Sequence, residues 1–214
     1  MVRSVTVTRE YGAGGGIIAQ RVAEMLGWHL LDRDLIGAVA SAAEVDAETI
    51  GRYDEHVDSW WHRFHLGGLR AMAIVAGVSA TDAVVIDAET VARFAKPVIA
   101  MAAWRGNCVI VGRGAQCVLQ SREDVFHVYV YGPWAERVAR VRERIGSAEG
   151  VEESIRLTDQ ERASYIRTYY GFDWQDPHLY DLMISSKSGV ENTACMIVDA
   201  VRGTSRARRR VAGF

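Results

Sequence analysis

The sequence predicts an α/β fold, a parallel sheet of about five strands with helices on both faces. Two observations carry this. Short apolar runs rich in β-branched residues alternate along the chain with amphipathic helical patterns, the order from which parallel sheets are built. The first of these runs leads directly into glycines at Gly12, Gly14, Gly15 and Gly16 and then into a helix pattern. In that layout the backbone N–H groups at a helix start face an anion.

The first strand pattern is Val5 and Val7 followed by Arg9 and Glu10. The helix after the glycines sets Ile18, Val22 and Met25 on one face and turns Gln20, Arg21 and Glu24 away. Gly27 suits its C-terminal turn. Trp28 to Asp32 reads as a second strand with Asp32 at its carboxyl end, where ligands gather in open α/β sheets. Asp34 to Ala43 reads as a helix. Between Glu44 and Gly106 only helical periodicity is visible, in Val45–Phe64, Leu69–Val78 and Glu89–Trp104, with Pro97 expected to start or kink a helix.

Cys108–Val111 is a continuous apolar run, as a strand buried on both faces requires, and Gly112-Arg113-Gly114 follows it. Val125–Tyr131 is the next strand. Pro133 is expected at the first position of a helix whose buried stripe is Trp134, Val138, Val141 and Ile145, with Arg137, Arg140, Arg142 and Arg144 around the rest. A further helix carries Arg156, Asp159, Arg162 and Arg167. Asp181–Ser186 is the last strand, and Val190, Ala194, Ile197, Val198 and Val201 face the core from the last helix. Five arginines fall between Arg202 and Arg210, in a tail expected to fray.

Composition narrows the function. A formal charge of −2 excludes a bulk nucleic-acid binder. Cys108, Cys117 and Cys195 are odd in number and have no metal or C-x-x-C spacing, so they read as reduced thiols of a cytoplasmic protein. No leader pattern precedes the first strand, and no run approaches the roughly 20 apolar residues of a membrane span.

The glycine loop invites comparison with the phosphate-binding motif G-x-x-x-x-G-K-[ST]. With Gly14 as the last loop glycine, Arg9 stands at the first glycine, Gly15 at the lysine and Gly16 at the Ser/Thr. The cradle is present without the side chains that grip the β/γ-phosphates and Mg²⁺.

Several segments together resemble the cytidylate kinase-like family of P-loop nucleotide kinases. They are V-T-R-E-Y-G-A-G-G at 7–15, L-D at 31–32, C-V-I-V-G-R at 108–113, P-x-x-x-R-x-x-R from Pro133 to Arg140 and D-x-x-R from Asp159 to Arg162. Y-G-F-D-W-x-D-P and Y-D-L-M-I-S-S complete them, between Tyr170 and Ser186. The resemblance implies one domain over residues 1–214, with a helical acceptor-binding insert at about 44–106 and an arginine lid at about 146–172. It implies transfer of the γ-phosphoryl of ATP, with Mg²⁺, to a nucleoside monophosphate of CMP type or a related small acceptor. Against the cytidylate kinases themselves, lysine and serine are missing at Gly15 and Gly16, and an acid is missing at Gly114.

Within this frame Gly12, Ala13, Gly14, Gly15 and Gly16 would hold phosphate. Arg9 would supply the missing cation, or else form a salt bridge to Glu10 or Asp32. Asp32 would hold Mg²⁺ or orient the acceptor, or else cap the following helix. Arg113 would grip the acceptor phosphate, with a structural ion pair as the rival. Arg137 would stack on adenine or touch ATP phosphates, and Arg162 and Arg167 would close as a lid. Asp159 is expected to pair with Arg162 on the helix surface. Trp60, Trp61, His62, His65 and Trp104 read as packing or a homodimer contact more than as a base-stacking box. Two functions fit: an active kinase in which Arg9 and the lid arginines replace the lysine, or a nucleotide-binding regulatory or partner-binding protein that has lost transfer.

Overall fold

A computed structural model describes residues 1–32, 88–146 and 149–211. Strand β1 (Ser4–Arg9) leads into helix α1 (Gly15–Leu26) and then β2 (His29–Leu31). Helix α2 (Ala88–Arg105) precedes β3 (Cys108–Val111) and the short α3 (Ala115–Val118). β4 (Val125–Tyr131), α4 (Trp134–Ile145), α5 (Val151–Tyr170), β5 (Leu182–Ser185) and α6 (Val190–Val211) complete the order. The expected helix at 34–43 and the segments at 45–64 and 69–78 lie outside the described residues, as do Trp60, Trp61, His62 and His65.

The five strands form one parallel sheet in the order β2-β3-β1-β4-β5, with the glycine-loop strand at its centre. Ser4 stands beside Cys108 on one side and Val125 on the other. Alternation along the strands divides the core. Val5, Val7, Val109, Val111, Phe126, Val128 and Val130 pack beneath α1 (Ile18, Val22) and α6 (Ile197, Val201). On the opposite face Cys108, Ile110 and Val125 meet Ala95, Ile99 and Ala102 of α2.

The polar residues that alternate with the valines of β1 are buried as well. Ser4, Thr6 and Thr8 are at most 4 % exposed. Thr6 Oγ1 shares a 2.8 Å hydrogen bond with His127 Nδ1 on the neighbouring strand, which offsets the cost of burying both groups. The first strand is therefore buried on both faces, although its sequence alternates like a half-exposed one.

Several details differ from expectation: β2 spans only His29–Leu31 rather than 28–32, and Trp134 and Ile145, expected in the buried stripe of α4, are exposed. Pro133 is the N-cap of α4, one residue outside the helix, with ψ at 137°. α2 runs unbroken through Pro97, so this residue does not start the helix. β5 begins at Leu182 because Asp181 turns its carboxylate onto the His127 N–H at 2.7 Å, clamping the start of β5 to β4.

The thiols test this packing. Cys108 and Cys117 are buried and Cys195 is exposed. Burial pushes the Cys117 thiol up to about 12 and raises that of Cys108. The thiolate is the reactive form, so iodoacetamide at pH 8 should label Cys195 alone in the native protein and all three cysteines in denaturant. Fast native labelling at Cys117 would contradict the core described.

Candidate functional site

The carboxyl ends of β1, β3 and β4 converge on the turn from Glu10 to Gly14. Gly12 has φ +81°, and a Cβ there would lie 2.8 Å from the Arg137 carbonyl and 3.0 Å from Val141 Cγ2. Only glycine lets α4 approach the loop this closely. Gly14 is the left-handed N-cap of α1, without a side-chain cap and with no acid in the first turn. The first intrahelical bond runs from Ile18 N–H to the Gly14 carbonyl at 3.0 Å. The amides of Gly15, Gly16 and Ile17 are thus outside the helical ladder, as an anion site requires.

Gly15 carries the departure from the phosphate-loop pattern, and its neighbour explains it. A Cβ on Gly15 would overlap Arg9 Cβ and lie 2.7 Å from Arg9 Cγ. The Arg9 side chain runs past Gly15 and sets Nη1 against Gly112, so that a Cβ on Gly112 would also strike it. Arg9 therefore fills the space into which a side chain at position 15 would start. Nothing among the described residues explains Gly16, whose Cβ position is open.

Gly114 is accounted for in the same way. A Cβ there would lie 2.6 Å from Tyr170 Cζ and 2.9 Å from its hydroxyl oxygen, at φ +72°. That hydroxyl donates to the Arg113 carbonyl at 3.1 Å. Burial raises both the Tyr170 and Tyr165 hydroxyls above the usual phenol range. Gly112, Arg113 and Gly114 are three successive left-handed residues, at φ +75°, +54° and +72°. For arginine this conformation costs about 1 kcal/mol, a strain typical of functional sites.

Arg137 takes a different place from a base-stacking one. It is 5 % exposed. Its Nε donates to the Tyr11 carbonyl at 2.8 Å, Nη1 lies 3.2 Å from Glu10 Oε2 and Nη2 pairs with Asp159 Oδ2. Glu10 also accepts the Gly132 N–H at 3.0 Å, and Asp159 accepts the Tyr11 N–H at 2.7 Å. Asp159 thus belongs chiefly to this buried cluster, with Arg162 further off at 3.8 Å. The expected pair with Arg162 is present, but the nearer partner is Arg137, and the carboxylate lies half-buried where α5 packs Val151 and Ile155 against Val138 and Val141 of α4. Glu10, offered as a partner of Arg9, is a partner of Arg137.

Arg140 bridges the Gly12 carbonyl (3.2 Å) and Ser186 Oγ (3.1 Å), tying the loop to the end of β5. Arg162 donates to the Arg9 carbonyl at 2.8 Å. Arg162 and Arg144 lie over the Tyr11 ring, at 5.6 and 4.9 Å from its centroid. Arg167, on the same helix, is exposed and does not line the cavity beside the loop. Trp104 is 70 % exposed on α2.

Between the β1 and β3 ends and the inner face of α5 lies a cavity of about 500 Å³, the size of a small-molecule site. Arg9, Arg113 and Arg162 line it with Glu161, so positive charge prevails there. Tyr165, Tyr169 and Trp174 supply apolar walls. The structure thus brings together Arg9, Arg113 and Arg162 from three distant sequence positions. Gln116 and Thr8 also line it; Thr8 lies within the V-T-R-E segment at 7–10, but nothing in the sequence pattern singled out Gln116. Asp32 is exposed just beyond the end of β2, the edge strand. Among the described residues no three His, Cys, Asp or Glu side chains converge as a metal site, and no helix is long and apolar enough to cross a membrane.

A parallel sheet with its glycine loop on the central strand, beside a cationic cavity at the strand ends, defines a nucleotide-kinase fold. The model of the cytidylate kinase-like family matches residues 4–188, and the chain belongs to that family. A cytidylate kinase of Methanosarcina mazei is 32 % identical over 85 residues, which are 39 % of this chain and 47 % of that protein. The match therefore spans about half the length of this relative. Among solved structures, an uncharacterized protein from Eubacterium ventriosum superposes with a TM-score of 0.68 at 22 % identity, covering 95 % of this chain and 99 % of the other. A gluconokinase from Sinorhizobium meliloti gives 0.52 at 13 % identity, covering 98 % and 95 %. At these identities both speak for the fold. The family match and the fold neighbours agree with each other.

Proposed function

We propose that the protein is an ATP-dependent phosphotransferase acting on a nucleoside monophosphate of CMP type or a related small acceptor, with Arg9 in place of the loop lysine. The observation that carries this is the path of Arg9 across Gly15 to the wall of the cavity. A cation on that path stands between the loop, which would hold the ATP phosphates, and the cavity, which would hold the acceptor. The amides of Gly14, Gly15 and Gly16 would bind the phosphates from the helix start, and Ala13, fully buried, would hold the turn's shape against the sheet. Arg113 would bind the acceptor's anionic group. Arg162, whose guanidinium reaches the Arg9 carbonyl, would add charge near the transferring phosphoryl and exclude water.

In the transfer an acceptor oxygen would form a bond to the γ-phosphorus as the bond to the β-phosphate oxygen breaks, leaving ADP. The residues fit Mg²⁺ in one respect: Asp32 offers a single carboxylate at the strand ends, and Mg²⁺ takes one or two carboxylates with phosphate oxygens and water. Bound there, Mg²⁺ would neutralise charge on the phosphates. Arg167, exposed and away from the cavity wall, would contribute only through movement of α5. The roles proposed for Arg137 shift to holding the loop, because its donors are engaged by Tyr11, Glu10 and Asp159.

The open position at Gly16, with no hydroxyl for a metal, favours the second reading, a nucleotide-binding regulatory or partner-binding protein. Calorimetry with ATP and ADP, with and without Mg²⁺, should give binding at micromolar to millimolar nucleotide. ADP formation should then appear with at least one of CMP, dCMP, UMP, AMP and GMP. Tight ATP binding without transfer to any of these or to small hydroxyl acceptors would put the second reading ahead. No heat at millimolar nucleotide would overturn both.

A further inference from the structure

The cavity is lined by several buried polar groups that complete no hydrogen bond within the fold, Gln116, Thr8 and the Tyr165 hydroxyl among them. Gln116, on α3, is 1 % exposed, and Thr8, the residue before Arg9, is 4 % exposed. Both line the cavity. Gln116 Nε2 and Thr8 Oγ1 are buried without a hydrogen-bond partner. Both approach the Tyr180 hydroxyl oxygen, whose own proton goes to the Trp174 carbonyl at 2.7 Å; that oxygen could still accept, but neither donor meets it in hydrogen-bond geometry. A buried donor left unmade costs free energy, and a native fold tolerates the cost where a ligand completes the bond.

We infer that Gln116 and Thr8 form an uncharged hydrogen-bonding subsite that selects the acceptor. It recognises a neutral oxygen, a base carbonyl or a sugar hydroxyl, on a molecule whose anionic end is held by Arg113 and Arg9. This rests on the reading of the cavity as the acceptor site. The amide has two N–H donors and the hydroxyl one, so an oxygen reaching the floor accepts from both. A site built around such donors discriminates strongly against a molecule lacking the oxygen, because the donors then remain unpaired. The three arginines bind any small anion; the floor decides which one is accepted.

The test uses the full chain, with Gln116→Leu and Thr8→Val, and CMP, ribose 5-phosphate and inorganic phosphate as calorimetric probes. The wild type should bind one of the two organic phosphates at least tenfold more tightly than inorganic phosphate. CMP as the tighter ligand identifies the base carbonyl as the oxygen read, and ribose 5-phosphate identifies a hydroxyl. Each substitution should weaken that ligand about tenfold or more while leaving inorganic phosphate and ATP within twofold. Without ligand, the melting temperature of Gln116→Leu should equal or exceed that of the wild type, since an unpaired amide has been removed from the interior. A fall in melting temperature would make Gln116 structural and overturn the inference, and unchanged affinity in both variants would do the same. Transfer that persists with unchanged acceptor KM in both variants defeats the subsite and leaves the kinase standing. Selective binding without transfer does the reverse. No binding by any probe at millimolar concentration overturns both.

Discussion

Arg9→Ala should lower phosphoryl transfer by ~10³-fold or more, the scale of a transition-state cation, while ATP affinity falls far less. The asymmetry follows from geometry: backbone amides at the start of α1 would hold the ground-state phosphates whatever stands at position 9. Gly15→Lys alone should also be inactive, because its Cβ would overlap the Arg9 stem. The double variant Arg9→Ala/Gly15→Lys should recover part of the activity, since one change vacates the volume the other fills. Steady-state ADP formation across the four proteins gives the coupling directly. If Gly15→Lys is tolerated beside Arg9, or if Arg9→Ala turns over at the wild-type rate, the exchange of one cation for the other is refuted.

The second large effect concerns stability. Arg137→Met should cost about 3 kcal/mol, the low end of the range for removing one member of a buried ion pair, because Glu10 and Asp159 would remain largely shielded from water without their cation. The side chains of Arg137, Glu10 and Asp159 are 6 %, 16 % and 20 % exposed, so solvent relieves only part of the penalty. Urea denaturation should show the loss as a lower midpoint at similar slope. A variant with near-native stability and a large loss of ATP affinity would restore the expectation that Arg137 meets the nucleotide. Salt separates this cluster from the exposed pairs: Arg21 with Glu24 and Glu191 on the surface should be screened, whereas the cluster should not.

The fold was legible because each strand carries its own apolar or β-branched signal and each helix its own period. The central position of β1, its parallel partners and the two-faced core follow from alternation of strand and helix. What the sequence withheld was the direction of long side chains. Arg9, Arg113, Arg137 and Arg162 look alike in a motif, each an arginine near a strand end or on a helix. One crosses a glycine into the cavity and one is locked among two carboxylates and a carbonyl. The difference depends in large part on contacts far apart in sequence, Arg137 with Glu10 and Tyr11 and Arg9 with Gly112. Gly15 and Gly114 read as losses against the family pattern; in three dimensions each faces a side chain, Arg9 or Tyr170, that fills its place. Gln116 was invisible for a related reason, since an unpartnered amide leaves no trace in composition or spacing.

The neighbours of β1 in the sheet have a consequence for how the chain reaches this form. The segment at 4–9 leaves the ribosome well before both strands that flank it, at 108–111 and 125–131, which emerge about a hundred residues or more later. During synthesis Val5 and Val7 must therefore wait, with their backbone groups bonded to water. Parallel pairing over such separations closes large loops before any contact rewards it, which slows folding. Nascent chains arrested before residue 108 should leave the first strand open to protease. Protection should arise in one step once 125–131 is free, because the centre of the sheet then gains both its edges together.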